Sequence, residues 1–446
     1  MDRQRLGVAW FSIALVFACV CGCETVDGIA RDIGVDERVP PLKFAAEPDV
    51  RIRVSREQTR CTIAGNGPIV VRIAGASSGD LVSGPIEVTG STSGLSLADG
   101  AGRRKTFSPG IALEFLAANP LNADSARSAL ASESLVLNGT KYPGFLVLRP
   151  APERPSGAFD IVVDMPVESY IPGVLTHELF PSWPRQTFEA QAVASRTYAL
   201  HERERARSTG RPFDLEASDA DQVFGGQAGS IKATEATRAT RGRVATYNGR
   251  LIRAYFSSQC GGRPASARWA WSGETEYAFN QAKPLQGSKR RAFCQQSPLY
   301  RWNVTRSDDD FTQRLRAYGR SIKADFGTLQ RVRKVEITDR NDAGRPNRYT
   351  VTDASNNTFE LSPEQIRVGA NYPASSLAPV TKENRVNSGD VEVEVWANQV
   401  RFQGRGWGHG VGMCQYCAKG MAEQGMDWPG MIAEFYPGAV VTKAYE

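Results

Sequence analysis

Three stretches carry side chains whose types and spacing can do chemistry. The first is Val167-Glu-Ser-Tyr-Ile-Pro-Gly-Val-Leu-Thr-His-Glu-Leu-Phe-Pro-Ser-Trp-Pro184. Glu178 stands in it beside Leu179, Phe180 and Trp183. Apolar, aromatic surroundings disfavour an ionised carboxylate, and a glutamate tuned upward this way acts as a general acid near neutral pH. A solvated helix carboxylate is the commoner fate of the residue type. The second stretch is Arg405-Gly-Trp-Gly-His-Gly-Val-Gly-Met-Cys-Gln-Tyr416, with glycines at 406, 408, 410 and 412. Alternate glycines let backbone approach a ligand closely. Trp407 offers a face for a sugar ring, and His409 can donate or accept a hydrogen bond. No Lys-Ser/Thr follows, so this is not a phosphate loop; a Gly-rich turn around a buried histidine is the plain alternative. The third set is Cys260, Cys294, Cys414 and Cys417, the last two spaced C-x-x-C. Four thiolates can close a tetrahedral zinc site. In an oxidising compartment disulfides are favoured instead, and free thiols are the third option.

These residues need rigid supports. Pro166 opens a predicted helix ending near Leu179, with Glu178 in its last turn. Phe188, Ala192, Ser195 and Ala199 make one stripe of a strong helix over 185–207, with Gln191, Ala194 and Tyr198 beside it. Residues 229–240 form another, stopped by Gly242. Asn248-Gly249 marks a hairpin whose second run extends into Ser257-Ser258, and Asn138-Gly139 marks one within 135–148. A short helix is expected over 121–134, and two more near 412–424 and 428–435. VRIRVS, PIVVRIAG, PIEVTG, VRKVEITD, RYTVTD and VEVEVWANQVRFQG read as strands. The expected fold is α+β: a helical centre carrying Glu178, flanked by strand-rich segments, in a bilobal arrangement.

The start of the chain points to export. Arg3 and Arg5 precede an uncharged, mostly apolar run from Leu6 to Cys21. At 16 residues it is shorter than the roughly 20 a membrane span needs and suits a secretory signal. Gly22 before Cys23, with Val20 three back, resembles a bacterial lipobox; Cys19 after Ala18 is the alternative, and a plain cleaved signal or an uncleaved anchor are the other readings. The expected organisation is a lipoprotein signal peptide over 1–22, lipidation at Cys23, a tether over 23–47 containing Pro40-Pro41, a strand-rich part over 48–150 and a core over 151–446. Acylated, the protein sits on a membrane surface of a bacterial envelope. Glu24 rather than Asp after Cys23 favours the outer membrane of a two-membrane cell.

Composition narrows the rest. The 446 residues are 41% hydrophobic and 23% charged, ordinary globular material. A net charge of +6 spread over this length is no nucleic-acid footprint, and three histidines leave little room for multi-histidine metal sites.

Five ordered blocks resemble the stage II sporulation protein D / amidase-enhancer (SpoIID/LytB) domain family: ESYIPGVLTHELFPSWP, FEAQAVASRTYAL, DADQVFGG, TRGRVATYNGRLIRAYFSSQCGG, and GRGWGHGVGMCQYCAKGMAEQG with EFYPGAVV. The likeness runs over about 140–446. It implies a peptidoglycan lytic transglycosylase whose single acid/base is Glu178, leaving 1,6-anhydro ends. Gln191, Arg196, Tyr198, Gln222, Trp407 and His409 are the candidate glycan contacts. Where the family often has Glu-Met-Pro, this chain has Glu178-Leu-Phe-Pro181, one residue longer. Relatives with zinc near the Ser-Ser-x-Cys-Gly-Gly turn make Cys260 and Cys294 candidate ligands of a structural metal. No cofactor is required by the chemistry. The other function class is a non-catalytic glycan-binding adaptor that stimulates a cell-wall amidase; a plain hydrolase is a third.

Overall fold

The computed structural model describes residues 41–42, 44–118, 134–151, 157–271 and 275–446. The signal segment, Cys23 and the helix expected over 121–134 lie outside or almost wholly outside these residues.

The N-terminal strands assemble into two sheets; strands such as Arg60–Ala64 and Ile69–Ile73 alternate buried and less buried positions, while Leu113–Ala117, Phe145–Pro150 and Phe159–Pro166 are buried along most of their length. One is seven-stranded, ordered Leu215–Glu216, Asp49–Gln58, Phe159–Pro166, Phe145–Pro150, Leu113–Ala117, Ile69–Ile73, Asp80–Val82. The other is six-stranded, ordered Thr140–Pro143, Ser134–Leu137, Arg60–Ala64, Ile86–Ser91, Gly94–Ala98, Arg104–Phe107. Their inward side chains, among them Ile52, Ile63, Val88, Phe115 and Leu135, meet in one core. The end of the expected tether is part of this body. Leu42 N–H donates to the Gly249 carbonyl, and Glu47 pairs with Arg241 at 2.5 Å.

That core continues into the helical centre. Helix α1 (Val167–Glu178) follows directly from the strand Phe159–Pro166, and α2 (Arg185–Ser208) follows after six residues. Pro166 and Pro184 stand just ahead of these helices, at the N-caps. Small residues of α2 (Ala190, Ala192, Ala194, Ala199) are fully buried, which lets α1 and α3 (Ile231–Ala239) pack close. Asn248 and Gly249 both take positive φ (50° and 72°), the turn that a two-residue hairpin needs. The second strand stops at Leu251. Phe256–Ser257 turns away and pairs in parallel with Met413–Cys414, so the extended second run of the expected hairpin is two separate pairings.

Between these two parallel partners the chain passes through α4 (Ala267–Ala270) and builds a lobe with its own core of Val304, Phe311, Leu315, Tyr349, Val351, Ile366 and Phe402. Two three-stranded sheets carry α5 (Asp308–Ser321) and α6 (Pro363–Asn371). The lobe starts at Trp302 and finishes at Gly404, which face each other in adjacent antiparallel strands. The chain then returns to the first core through α7 (Gln415–Glu423), α8 (Trp428–Phe435) and the strand Val440–Lys443, which pairs with Arg243–Thr246.

Candidate active site

Helix α1 ends at Glu178 because Leu179 turns extended (φ −123°, ψ 147°) and Pro181 follows. The Glu178 side chain is half-buried. Its Oε1 accepts from Val223 N–H at 3.4 Å and its Oε2 from Gln415 Nε2 at 3.0 Å. Burial pushes its pKa above the ordinary carboxylate value; the Gln415 and Val223 hydrogen bonds and His177 oppose this without cancelling it. The side chain is poised to hold a proton and give it up.

Two hollows are lined by residues close in sequence to Glu178 or to its hydrogen-bond partners. Asp221, two residues before Val223, lines a cavity of about 490 Å³. Tyr198, Tyr255, Trp271 and His409 supply one wall, and Glu364 and Arg367 of the inserted lobe supply the other. Tyr255 and Trp271 stack with ring centroids 4.5 Å apart. Burial lowers the His409 pKa to about 4, so its imidazole is neutral above that pH. Nδ1 accepts from Val411 N–H at 3.1 Å, placing the proton on Nε2. Phe180, Trp183 and Tyr416 line the second hollow, of about 720 Å³. Phe180 packs on Trp183 at 5.4 Å, and Trp183 meets Tyr416 edge-on at 4.9 Å.

Several expected glycan contacts hold this site together from behind. Arg196 is fully buried and forks onto Glu168 at 2.8–3.0 Å, so it cannot reach a ligand. Gln191 is equally buried and donates to Ser195 Oγ. Gln222 accepts from Tyr170 Oη at 3.0 Å and donates to the Ser195 carbonyl, anchoring the segment that carries Val223. These three are corrected from contact to scaffold. Tyr198 does both: its ring lines the cavity and its hydroxyl donates to Asp221 at 2.9 Å. Trp407 is 43% exposed. The alternate glycines serve the protein's own packing rather than a ligand. A Cβ on Gly410 would lie 2.5 Å from Arg345 Nη1, and one on Gly412 would lie 2.2 Å from the Tyr255 carbonyl oxygen.

The preference for disulfides is also corrected. The Sγ atoms of Cys260, Cys294, Cys414 and Cys417 all lie within 4.8 Å of one another, and all four side chains are buried. Cys260 Sγ is 4.0 Å from that of Cys294 and 3.8 Å from that of Cys417, far beyond the roughly 2.05 Å of a disulfide. Zinc–sulfur bonds of about 2.3 Å in a tetrahedron put sulfurs roughly 3.8 Å apart, so the donor set fits zinc. Cys61 is separate and buried, its pKa raised to about 12 by burial, which makes it unreactive.

Residues 156–247, which include α1, α2 and α3, match the profile described as Stage II sporulation protein. Residues 275–412, spanning the inserted lobe, match a domain of unknown function, DUF8618. Over residues 156–247 the chain resembles the SpoIID/LytB family. An uncharacterised protein of Brachyspira hyodysenteriae is 29% identical over 69% of this chain and 73% of its own length. The amidase enhancer of Bacillus subtilis is 26% identical over 60% of this chain but only 40% of its own length. The stage II sporulation protein D of the same organism is 26% identical over 64% of this chain and 76% of its own. In this chain, motif reading missed Gln415, Val223, Trp271, Glu364 and Arg367. Gln415 was visible only as a spacer between two cysteines.

Proposed function

We propose that this protein is a peptidoglycan lytic transglycosylase with Glu178 as its single acid/base, acting in the bacterial envelope from a lipid anchor at Cys23. The observation that carries the reading is the proton-favouring Glu178 carboxyl, held at the end of α1 by the Val223 N–H and the Gln415 amide. The names of the Bacillus relatives support a cell-wall role.

Glu178 protonates the glycosidic oxygen between N-acetylmuramic acid and N-acetylglucosamine, and the C1–O bond breaks with the electron pair leaving on that oxygen. Positive charge develops at C1. The 6-hydroxyl of the same muramic acid residue then attacks C1 and returns its proton to Glu178. The product is a 1,6-anhydro end, no water is consumed, and one carboxyl suffices. A hydrolase would use a second carboxylate about 5–9.5 Å away, and its products would carry reducing ends instead. Cys260, Cys294, Cys414 and Cys417 would hold a zinc ion. Four protein ligands leave no open position, so the ion would brace the fold rather than activate water.

Purified protein incubated with peptidoglycan, with and without stem peptides, should release fragments with anhydro ends by mass spectrometry. Glu178→Gln should abolish them; anhydro ends persisting in that variant would remove Glu178 from the role. Absence of cleavage together with a stimulated amidase would favour the adaptor that the amidase-enhancer relative's name suggests.

A further inference from the structure

Gln415 occupies an unusual position. Its side chain is 4% exposed and donates to Glu178 Oε2 at 3.0 Å. In the chain it stands between two members of the thiol cluster, Cys414 and Cys417, on the first turn of α7. Its backbone is fixed on both sides. Met413 and Cys414 pair with Phe256 and Ser257. Cys414 Sγ accepts from the backbone N–H of Cys260 and of Cys417, both at 3.3 Å. The cluster therefore sets where α7 begins, and the first residue of α7 reaches the carboxyl.

We propose that Gln415 is a positioning residue for Glu178, and that the four-cysteine cluster acts on the acid through it. The inference rests on the reading of Glu178 as the acid. A hydrogen bond of 3.0 Å is lost by a displacement of little more than half an ångström. Opening the cluster by metal loss removes the tie that fixes the start of α7. The groups acting on Glu178 are few: the Val223 N–H, the Gln415 amide, the His177 imidazole and, more remotely, the Tyr170 phenol. Gln415 is the one among them tied to the cluster. Because it donates to the ionised carboxylate, its removal drives the Glu178 pKa further up. It also frees the carboxyl to turn away from the scissile bond. The cluster is then a structural part that the reaction depends on at one remove, with no metal in the chemistry.

The test is Gln415→Ala, read in two ways. First, carbon-13 NMR titration of protein labelled at the glutamate carboxyls, with the Glu178 signal assigned by its absence in Glu178→Gln, should show the Glu178 pKa moved upward. Second, cleavage of glycan strands should lose roughly ten- to a hundredfold in kcat with KM little changed, and its alkaline limb should move to higher pH. Metal content and circular dichroism of the variant should match wild type. Chelation of wild type, with zinc loss verified by metal analysis, should give the Gln415→Ala titration, and chelating the variant should shift Glu178 no further. A Glu178 titration identical in wild type and Gln415→Ala would overturn the positioning role. Chelated, folded protein keeping the wild-type titration would overturn the link to the cluster. If wild type cleaves no glycan, the proposed function has failed, and the carboxyl titration still decides this inference.

Discussion

Helix α1 carries a glutamate at each end, and the two are kept in opposite states. Glu168, in the first turn, is buried enough that desolvation alone would raise its pKa. The Arg196 guanidinium, Tyr445 hydroxyl and Gly242 N–H all donate to it and hold it below the ordinary range. Glu178, in the last turn, is half-buried and is met by an amide and a peptide N–H rather than a guanidinium, and its pKa is raised. Position at a helix terminus acts in the same sense, since the N-terminal end favours anions and the C-terminal end does not. Burial is therefore not what marks an acid. The partner decides: a fixed cation makes a carboxylate a structural anchor, and neutral donors leave it able to exchange a proton.

The contrast can be broken at either end. Glu178→Gln should cost about 10²–10⁴ in glycan cleavage while leaving the fold intact; the comparison fails if the rate is unchanged. Glu168→Gln should do the reverse. It strands a buried guanidinium and should lower stability by about 3–5 kcal/mol in denaturant titration, with folded protein still active. Acidity sharpens the contrast further. A carboxyl whose folded pKa is depressed stabilises above its unfolded pKa, near 4.5, and that contribution is lost as pH falls through the folded value. Glu168→Gln should therefore flatten the stability profile just below that point. Glu178, raised, gives a slope of opposite sign: stability declines as pH rises from about 4.5 through its folded pKa. Glu178→Gln should flatten the profile on that side, and wild-type cleavage should fall as pH climbs through the same value. The smallest effect is expected at Phe180. This ring is 56% exposed, so Phe180→Ala should change stability by about 0.5 kcal/mol or less while raising KM for glycan.

Both ends of α1 were present in one sequence block, yet only one could be read. The place of Glu178 at a helix end was legible because local signals agreed: helical spacing, a Phe-Pro-Ser-Trp-Pro break and aromatic neighbours. The α+β character and the Asn-Gly hairpins were legible for the same reason, since turn chemistry and periodicity act over a few residues. Arg196, Gln191 and Gln222 were misread because a motif does not separate side chains that touch a ligand from those that hold the frame. Their burial is decided by α1, α3 and the segment after Ser218, far away in sequence. The cysteines show the same limit. Cys260 and Cys414 lie 154 positions apart, and only the parallel pairing of Phe256–Ser257 with Met413–Cys414 makes them neighbours. Without that pairing in view, the oxidising compartment left disulfides as the default.

The facing pair Trp302 and Gly404 has a consequence for how such chains diversify. Strands that begin and finish side by side are only about 4.8 Å apart, so the hundred or so residues between them form an insertion whose ends meet, anchored a second time where buried Arg345 donates to the Arg263 and His409 carbonyls. Doubling the length of such an insertion adds only about 0.6 kcal/mol of closure entropy. Its outer loops can be enlarged while the strand pair beneath it and the Arg345 contact stay in place. The insertion also supplies Glu364 and Arg367 to the cavity lined by Tyr198, Trp271 and His409, while Glu178 keeps its partners Val223 and Gln415 outside it.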